Sequence, residues 1–302
     1  MSDERKNNMA TLAQSTARTR ARRHKLFEMG GLTLMHALLI SISIFMMLPF
    51  VWMVSTSFKP QTEIFTRPPT LISPHMNLDG YEYIYNYKQT DGVLNVLKNT
   101  VVISTAYTLL SLFFCALGGY GFAMYRFPGR RLLFTFLLAT MIVPVAVTMV
   151  PTYAMMVKFK WVNTFWPLII PGVANAFGIF FMRQYISTIS KELLDAGRID
   201  GCTEFGLFWR IIMPIIVPGL TSLGLIFFMS SWNNYMYPVI YLKSPKLHTL
   251  PLMMMQMTGP MGFSLYREQM GVAVISIVPL LIIFLVFQRR FVEGITSGAL
   301  KG

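Results

Sequence analysis

The sequence predicts an all-α polytopic membrane protein with about six transmembrane helices. Of its 302 residues, 54% are hydrophobic and only 13% are charged, whereas about a quarter of a typical soluble domain is charged. A helix of roughly 20 apolar residues can cross a bilayer, because it satisfies its own backbone hydrogen bonds. Six apolar runs of this kind are present, at 31–55, 95–119, 132–157, 163–186, 212–241 and 270–288.

Prolines interrupt several of these runs. Each proline removes a helix hydrogen bond and predicts a kink or a break. Broken helices often line the pathway of a transporter, but proline is also common in ordinary spanning helices, so both interpretations remain open. The prolines concerned are Pro49, Pro144, Pro151, Pro167, Pro171, Pro238 and Pro279.

The ends of the chain and the loops carry the charge that sets orientation. Residues 1–30 form a polar, basic tail, and the apolar run that follows is too long for a cleavable signal peptide. If the tail is inside the cell, 17 of the 26 lysines and arginines fall on the inner side. Basic residues accumulate in cytoplasmic loops. We therefore expect a cytoplasmic tail (1–30), one transmembrane domain (31–302) and both termini in the cytoplasm.

Two longer polar loops, at about 56–94 and 242–269, are then predicted to face outward. The first contains "GYEYIYNYK", whose tyrosines suit either an interfacial belt or a docking surface for an external partner. The second contains "LPLMMMQMTGPMGF", whose methionines suit either adaptable contacts or a loosely packed loop.

Several chemistries lack their usual motifs. The sequence contains no G-x-x-x-x-G-K-[ST] phosphate loop, no H-E-x-x-H and no G-x-S-x-G, and its four histidines match no metal-ligand spacing. This argues against a membrane enzyme and predicts no cofactor on this chain. No acidic residue falls within a predicted span, which disfavours, without excluding, a stand-alone channel or secondary carrier.

One charged loop, at about 187–213, is predicted to lie in the cytoplasm. It contains most of "KELLDAGRIDGCTEFGLFWRIIMPIIVP" (191–218). Ser190 is a suitable N-cap for a short helix that ends near Asp200, with Glu192 in its first turn. Gly201 can adopt the left-handed conformation that ends a helix, and Thr203 can cap a second one.

The two short helices are expected to present small and apolar faces. In the first helix, Leu193, Ala196, Gly197 and Asp200 share one face by their spacing, which would let another backbone approach closely. In the second, Phe205, Phe208 and Ile212 form an apolar stripe. The loop is either a knob that fits a groove in a partner or an ordinary amphipathic segment at the membrane surface.

These residues resemble the "EAA" loop of ABC importer permeases, E-A-A-x-x-D-G-A followed by an aromatic residue and spaced prolines. Asp195, Ala196 and Gly197 stand where the family has Glu-Ala-Ala, Asp200 and Gly201 match its Asp-Gly, and Cys202 replaces alanine. The tail of the motif is matched by Phe208, Ile211, Pro214 and Pro218.

Four further stretches are similar to carbohydrate-uptake permeases, in particular to the shorter of the two permeases in maltose-type systems. They are "LPFVWMVSTSFKPQTEIF" (48–65), "SSWNNYMYPVIYL" (230–242), "TLPLMMMQM" (249–257) and "FQRRFVEGITSGALKG" (287–302). The resemblance implies the type I ABC importer permease fold, in the plasma membrane of a bacterium or an archaeon.

The resemblance also implies partners and a mechanism of alternating access. The chain would pair with a second, homologous permease, two ATP-binding subunits would hold ATP and magnesium, and an extracytoplasmic substrate-binding protein would deliver a sugar or oligosaccharide. The lipid membrane is a further partner, and no nucleic acid is implied. The loop would be the coupling helix, and Gly298 and Lys301 would contact the ATPases. The implied coupling residues are Glu192, Asp195, Ala196, Gly197, Asp200, Gly201, Phe205, Phe208 and Pro214.

The identity of the solute stays open. Trp232, Asn233, Asn234 and Tyr235 could line a cavity, because aromatic rings stack on sugars and amides bond hydroxyl groups. They could equally form a packing seam between helices. The alternatives to a sugar are another solute, such as glycerol phosphate or a peptide.

Overall fold

The computed structural model describes residues 31–257 and 265–299, and the side chains up to residue 288. The contacts divide the chain into two units, and the boundary in the sequence falls between Ser55 and Thr56. The helices are α1 (Gly31–Ser57), α2 (Asp79–Tyr85), α3 (Gly92–Met124), α4 (Arg130–Thr140), α5 (Val145–Lys158), α6 (Trp166–Ile169), α7 (Ala176–Ile186), α8 (Lys191–Ile199), α9 (Glu204–Leu207), α10 (Met213–Ile215), α11 (Val217–Trp232), α12 (Met236–Tyr241), α13 (Leu250–Gln256) and α14 (Tyr266–Ala299).

Two serines of α1 bond their hydroxyl groups to the backbone of the same helix. The hydroxyl groups of Ser41 and Ser43 donate to the carbonyls of Ala37 and Leu39, each at 2.8 Å. Bonds of this kind within one helix are what a segment in lipid requires, because no water is available there. The predicted tail, 1–30, lies outside the described residues.

The 56–94 segment is partly helical rather than a simple loop. It contains one turn of 3₁₀ helix (Gln61–Glu63) and the helix α2. Three of the four tyrosines in "GYEYIYNYK" lie in α2. Ile84 of α2 is buried in an apolar cluster with Val93 of α3 and Val272 of α14. The segment is therefore fixed to two of the long helices.

α3 is the central helix of the second unit, with 33 residues. It packs against α7 and α11 around a cluster that includes Cys115, Met182 and Leu223. Gly119 allows a close approach of α7: a Cβ atom there would lie 2.6 Å from Cβ of Met182 and 2.8 Å from the backbone nitrogen of Arg183. Small residues at such crossings let helix backbones meet in a membrane protein.

Fewer helices cross a membrane as single rods than the six apolar runs predict. Within the described part of the chain, Gly31–Ser57, Gly92–Met124 and Tyr266–Gln288 are each long and apolar enough to span. Two bent pairs raise the number to five: α4 with α5, at 98°, and Glu204–Ile215 with α11, at 78°.

The predicted span 163–186 is not one helix. It divides into α6 and α7, and residues 170–175 between them are not helical. Pro171 explains the break, because it lacks the backbone N–H that a continuing helix needs. Asn175 then caps α7 by accepting a hydrogen bond from the backbone N–H of Gly178 at 3.2 Å.

The segment before α13 is held on α3 by amide and hydroxyl groups. Asn99 donates to the carbonyls of Lys246 at 2.8 Å and His248 at 3.0 Å. One residue further along α3, the Thr100 hydroxyl accepts from the backbone N–H of Leu250 at 2.9 Å. The first turn of α13 is thereby fixed to the end of α3 that begins at Gly92.

Candidate functional site

The charged loop (187–213) begins with the predicted cap. The Ser190 hydroxyl accepts a hydrogen bond from the backbone N–H of Glu192 at 3.2 Å, and α8 runs from Lys191 to Ile199. Gly201 has φ of +81°, so the left-handed bend predicted there is confirmed.

The second part of the loop also begins as predicted. Thr203 accepts from the backbone N–H of Gly206 at 3.1 Å and caps α9. The chain then forms one π-helical turn, Phe208–Ile212, which the sequence pattern did not predict. π turns are rare, and many occur at functional sites.

The inner face of the loop packs on its own protein, which corrects two expectations. Gly197 was expected on an open face, but it is buried, and a Cβ atom there would lie 2.6 Å from Cδ2 of Leu207 and 2.7 Å from Cδ1 of Ile211. Phe208 was expected to reach a partner, but it is 1% exposed and packs on Tyr120 at 5.4 Å between ring centroids. Helix spacing predicts which residues lie on the same face of a helix. It does not predict which other residues pack on that face.

The outer face exposes large apolar side chains. Ile199 is 86% exposed and Phe205 is 62% exposed. Phe205 meets the exposed Trp209 edge to face, with ring centroids 6.2 Å apart. Sequence reasoning missed Ile199 and Trp209, because a single exposed apolar residue has no sequence signal of its own.

A groove lies beside these aromatic rings. Its volume is about 490 Å³, and its walls include Asp200, Gly201, Cys202, Thr203, Phe205, Gly206, Trp209 and Arg210. Of the other expected coupling residues, Glu192, Asp195, Ala196 and Pro214 are all exposed. The expected residues are therefore brought into one segment, but Gly197 and Phe208 face inward.

A polar network fixes the loop to the end of α3. Arg198 donates to Asp195 at 2.7 Å and to Glu204 at 2.9 Å. Glu204 also accepts a hydrogen bond from the hydroxyl of Tyr125, which in turn lies 3.1 Å from the hydroxyl of Tyr120. The two tyrosines lie about 80 residues before Glu204 in the chain, so no local pattern could have identified them.

The network keeps both of its central groups charged. The hydrogen bond from Arg198, and then that from Tyr125, hold the pKa of Glu204 below its ordinary value. The bonds to Glu204 and Asp195 raise the pKa of Arg198. An isolated exposed ion pair stabilises a protein little, so the value of this network lies in positioning the loop against α3.

The residues considered for a solute path separate into two groups. Trp232 is fully buried, and its indole Nε1 donates to the carbonyl of Ser276 at 3.2 Å and to its hydroxyl at 3.1 Å. Trp232 therefore belongs to a packing seam. Asn234 accepts a hydrogen bond from the backbone N–H of Tyr237, in the first turn of α12, at 3.2 Å.

Asn233 and Tyr235 have a different environment. Both line a cavity of about 350 Å³ whose other walls come from α13 and α14. They occupy the non-helical break between α11 and α12. Of the two C-terminal residues, Gly298 lies in α14 where side chains are not described, and Lys301 lies outside the described residues.

Known proteins resemble this chain over most of its length. It is 35% identical over 271 residues to the arabinooligosaccharides transport system permease protein AraQ of Halalkalibacterium halodurans, covering 90% of this chain and 96% of the relative. The corresponding protein of Bacillus subtilis is 34% identical over 263 residues, covering 86% and 92%.

The fold also matches a solved structure. A bacterial ABC transporter involved in the import of the acidic polysaccharide alginate superposes with a TM-score of 0.74 at 22% identity, covering 85% of this chain and 95% of that one. Residues 115–297 match the family described as the binding-protein-dependent transport system inner membrane component. The chain therefore belongs to that family of membrane proteins, and its fold is that of a type I ABC importer permease.

Proposed function

We propose that this chain is the transmembrane permease subunit of an ABC importer for a sugar or oligosaccharide. The observation that carries the proposal is a charged loop whose inner face is fixed to its own core while Ile199, Phe205 and Trp209 are exposed on its outer face. Exposed apolar side chains that surround a groove are typical of a protein–protein contact. The relatives named for arabinooligosaccharide transport support the solute class.

The partner at this surface is an ATP-binding subunit, and the energy source lies there. The sequence contains no phosphate loop of its own, so ATP and magnesium bind to two partner subunits beneath the membrane. A second permease completes the translocation path, and an extracytoplasmic protein delivers the solute. The loop and both termini face the cytoplasm, in the plasma membrane of a bacterium or an archaeon.

Movement passes from the loop to α3. When the ATPases close, the docked outer face moves with them, and the buried inner face must follow. Two contacts transmit the displacement to the end of α3: the packing of the Phe208 ring on the Tyr120 ring, and the hydrogen bond of Tyr125 to Glu204. Alternating access then carries the solute past the break at Asn233 and Tyr235, where a cavity of about 350 Å³ lies.

The docking surface is tested by replacing Phe205 with serine. Truncating a central apolar contact costs more than about 1 kcal/mol, so we expect roughly tenfold weaker retention of the ATPase subunits on purification. Phe65→Ser is the matched control, because Phe65 is likewise an exposed aromatic residue but lies in the 56–94 segment. Equal retention by both variants would contradict docking at the charged loop.

Orientation is tested with the two cysteines. Cys115 is buried and Cys202 is partly exposed in the loop, so a membrane-impermeant maleimide should label mainly Cys202. We expect labelling in inside-out vesicles and none in intact cells. Labelling of intact cells would place the loop outside and end the coupling proposal.

Coupling is tested at Gly201, whose left-handed backbone a β-branched residue does not tolerate. In proteoliposomes, we expect a transporter complex that contains Gly201→Val to hydrolyse ATP without a matching rate of sugar uptake. Gly129 has φ of +77° and, like Gly201, open space around it, so Gly129→Val controls for backbone strain outside the loop. Normal sugar uptake by Gly201→Val would refute the role of the bend. If the wild-type permease binds the ATPase subunits but takes up no sugar, only the proposed solute class is refuted.

A further inference from the structure

A very small polar cavity lies between several elements of the second unit. Its volume is about 10 Å³, and its polar groups come from α3, from the last turn of α11 and the break that follows it, and from the residue before α13, while α6 and α12 contribute apolar side chains. The polar residues are Thr100, Ser104, Ser231, Asn234 and Thr249. None of them belongs to the charged loop.

Two of the lining hydroxyl groups lack a hydrogen-bond partner in the part of the chain that the structure describes. They are Oγ of Ser104, a residue that is 0% exposed, and Oγ1 of Thr249, which is 4% exposed. Thr249 precedes the first residue of α13 but makes no capping bond with its side chain. A buried hydroxyl group without a partner is costly, because it has given up its bonds to water.

Two other polar atoms around the cavity, Oγ1 of Thr100 and Oδ1 of Asn234, are engaged. The Thr100 hydroxyl donates to the carbonyl of Val96 at 2.8 Å while it accepts from Leu250. Oδ1 of Asn234 accepts from the N–H of Tyr237. The buried hydroxyl groups that need a partner here are those of Ser104 and Thr249, which come from segments about 145 residues apart in the chain.

The volume decides which ligand fits. A buried water needs a cavity of about 10–15 Å³ and two to four polar partners, whereas sites for small organic molecules have about 300 Å³ or more. Calcium and magnesium need six or more oxygen ligands, with carboxylates among them, and this wall contains no carboxylate. We propose that the cavity is a binding site for one ordered water molecule that bridges the hydroxyl groups of Ser104 and Thr249.

The water completes a clamp between α3 and the segment before α13. Asn99 already holds the carbonyls of Lys246 and His248 there, and Thr100 holds the N–H of Leu250. The water adds a bond one turn further along α3. It also borders the non-helical break at Asn234, so the same molecule limits how far that break can move from α3.

The test compares hydroxyl deletions at the cavity with one outside it. Thr249→Val and Ser104→Ala each remove a partner of the water, and we expect each to lower the Tm of the purified transporter complex by about 2–4 °C. Thr108→Val is the matched control, because Thr108 is also buried on α3 with an unpartnered hydroxyl group, but it lines a separate apolar cavity of about 430 Å³. Its Tm should not fall.

Two further results distinguish a shared water from two independent hydroxyl groups. The double variant of Ser104 and Thr249 should lose less Tm than the sum of the single variants, because one water serves both. Thr249→Ser keeps the hydroxyl group and should retain the wild-type Tm. An experimental map that resolves ordered water should show one peak within hydrogen-bond distance of both oxygens.

The proposal is overturned if Thr249→Val and Ser104→Ala leave the Tm unchanged or raise it as Thr108→Val does, because the cavity is then dry. Strictly additive losses would also overturn it. So would a peak with the short contacts and the ligand number of a metal ion.

Discussion

Gly119 allows a backbone contact between α3 and α7, and its replacement by alanine gives a sharp test of the fold. The new Cβ atom would lie 2.6 Å from Cβ of Met182, and 2.8 Å and 2.9 Å from two backbone atoms of Arg183 and Met182. Carbon atoms in contact normally lie about 3.5–4.0 Å apart. Because backbone atoms cannot rotate away, α7 must move by about 1 Å at the crossing.

The magnitude follows from two opposing terms. Overpacking of this kind costs about 1–3 kcal/mol, while alanine favours a helix over glycine by up to about 1 kcal/mol. Gly121 lies two residues further along α3, and a Cβ atom there meets nothing within 4 Å. Gly121→Ala therefore gains only the helix term, and the difference between the two variants is the packing cost alone.

The assay is the Tm of the purified transporter complex for both variants. At about 2–4 °C per kcal/mol for a chain of this size, we expect Gly119→Ala to melt roughly 2–12 °C below Gly121→Ala. Equal Tm values would refute the reasoning, since they would mean that α3 and α7 are not in backbone contact at Gly119.

Three further predictions concern the polar contacts. Asn99→Ala should raise hydrogen exchange across the segment from Lys246 to the start of α13, because the carbonyl of His248 loses its donor and that of Lys246 keeps only the bond from Asn95; mass spectrometry of the exchanged complex measures it. Burial lowers the pKa of His248, so the unfolded chain binds a proton at a higher pH than the folded chain, and stability should fall as the pH drops below about 6.5. The Tm of His248→Gln should lose this dependence. The bond from Arg198 lowers the pKa of Glu204, so its stabilising effect, present at neutral pH, should be lost as the pH falls below about 4.3, and the Tm of Glu204→Gln should vary less with pH there.

Each of these predictions has a contrary outcome. Unchanged exchange in the Asn99 variant would mean that other contacts hold the segment. A His248→Gln complex with the same Tm profile as the wild type would assign the pH dependence to another group. An identical acid profile for Glu204→Gln would mean that the network around Arg198 contributes nothing measurable to stability.

The local features of the charged loop could be predicted from the sequence. Ser190, Gly201 and Thr203 act on residues two or three positions away, so their capping and turning roles can be seen in the sequence itself. The residues that pack against the loop could not be predicted from the sequence. Phe208 and Gly197 share an apolar pattern with truly exposed positions. Tyr120 of α3 covers Phe208, and Leu207 and Ile211 of the folded loop cover Gly197.

The apolar runs predicted the positions of the membrane segments better than they predicted the breaks in their helices. Composition gives the length of a run, but a run that contains Pro171 or Pro144 is equally apolar whether it forms one helix or two. The break at Asn233, Asn234 and Tyr235 lies inside a run that was predicted to be continuous. Backbone geometry of this kind depends on which side chains satisfy the freed groups, and those side chains come from distant parts of the chain.

α3 has a mechanical consequence through its length. Its 33 residues contain no proline, and at 1.5 Å per residue it is about 50 Å long, well beyond the hydrocarbon thickness of about 30 Å. A rotation of about 5° around one tip sweeps the opposite tip through about 4 Å by geometry alone. A small push on Tyr125 can thus become a shift of atomic size at Asn99, near the opposite end of α3, with no intermediate joint to absorb it.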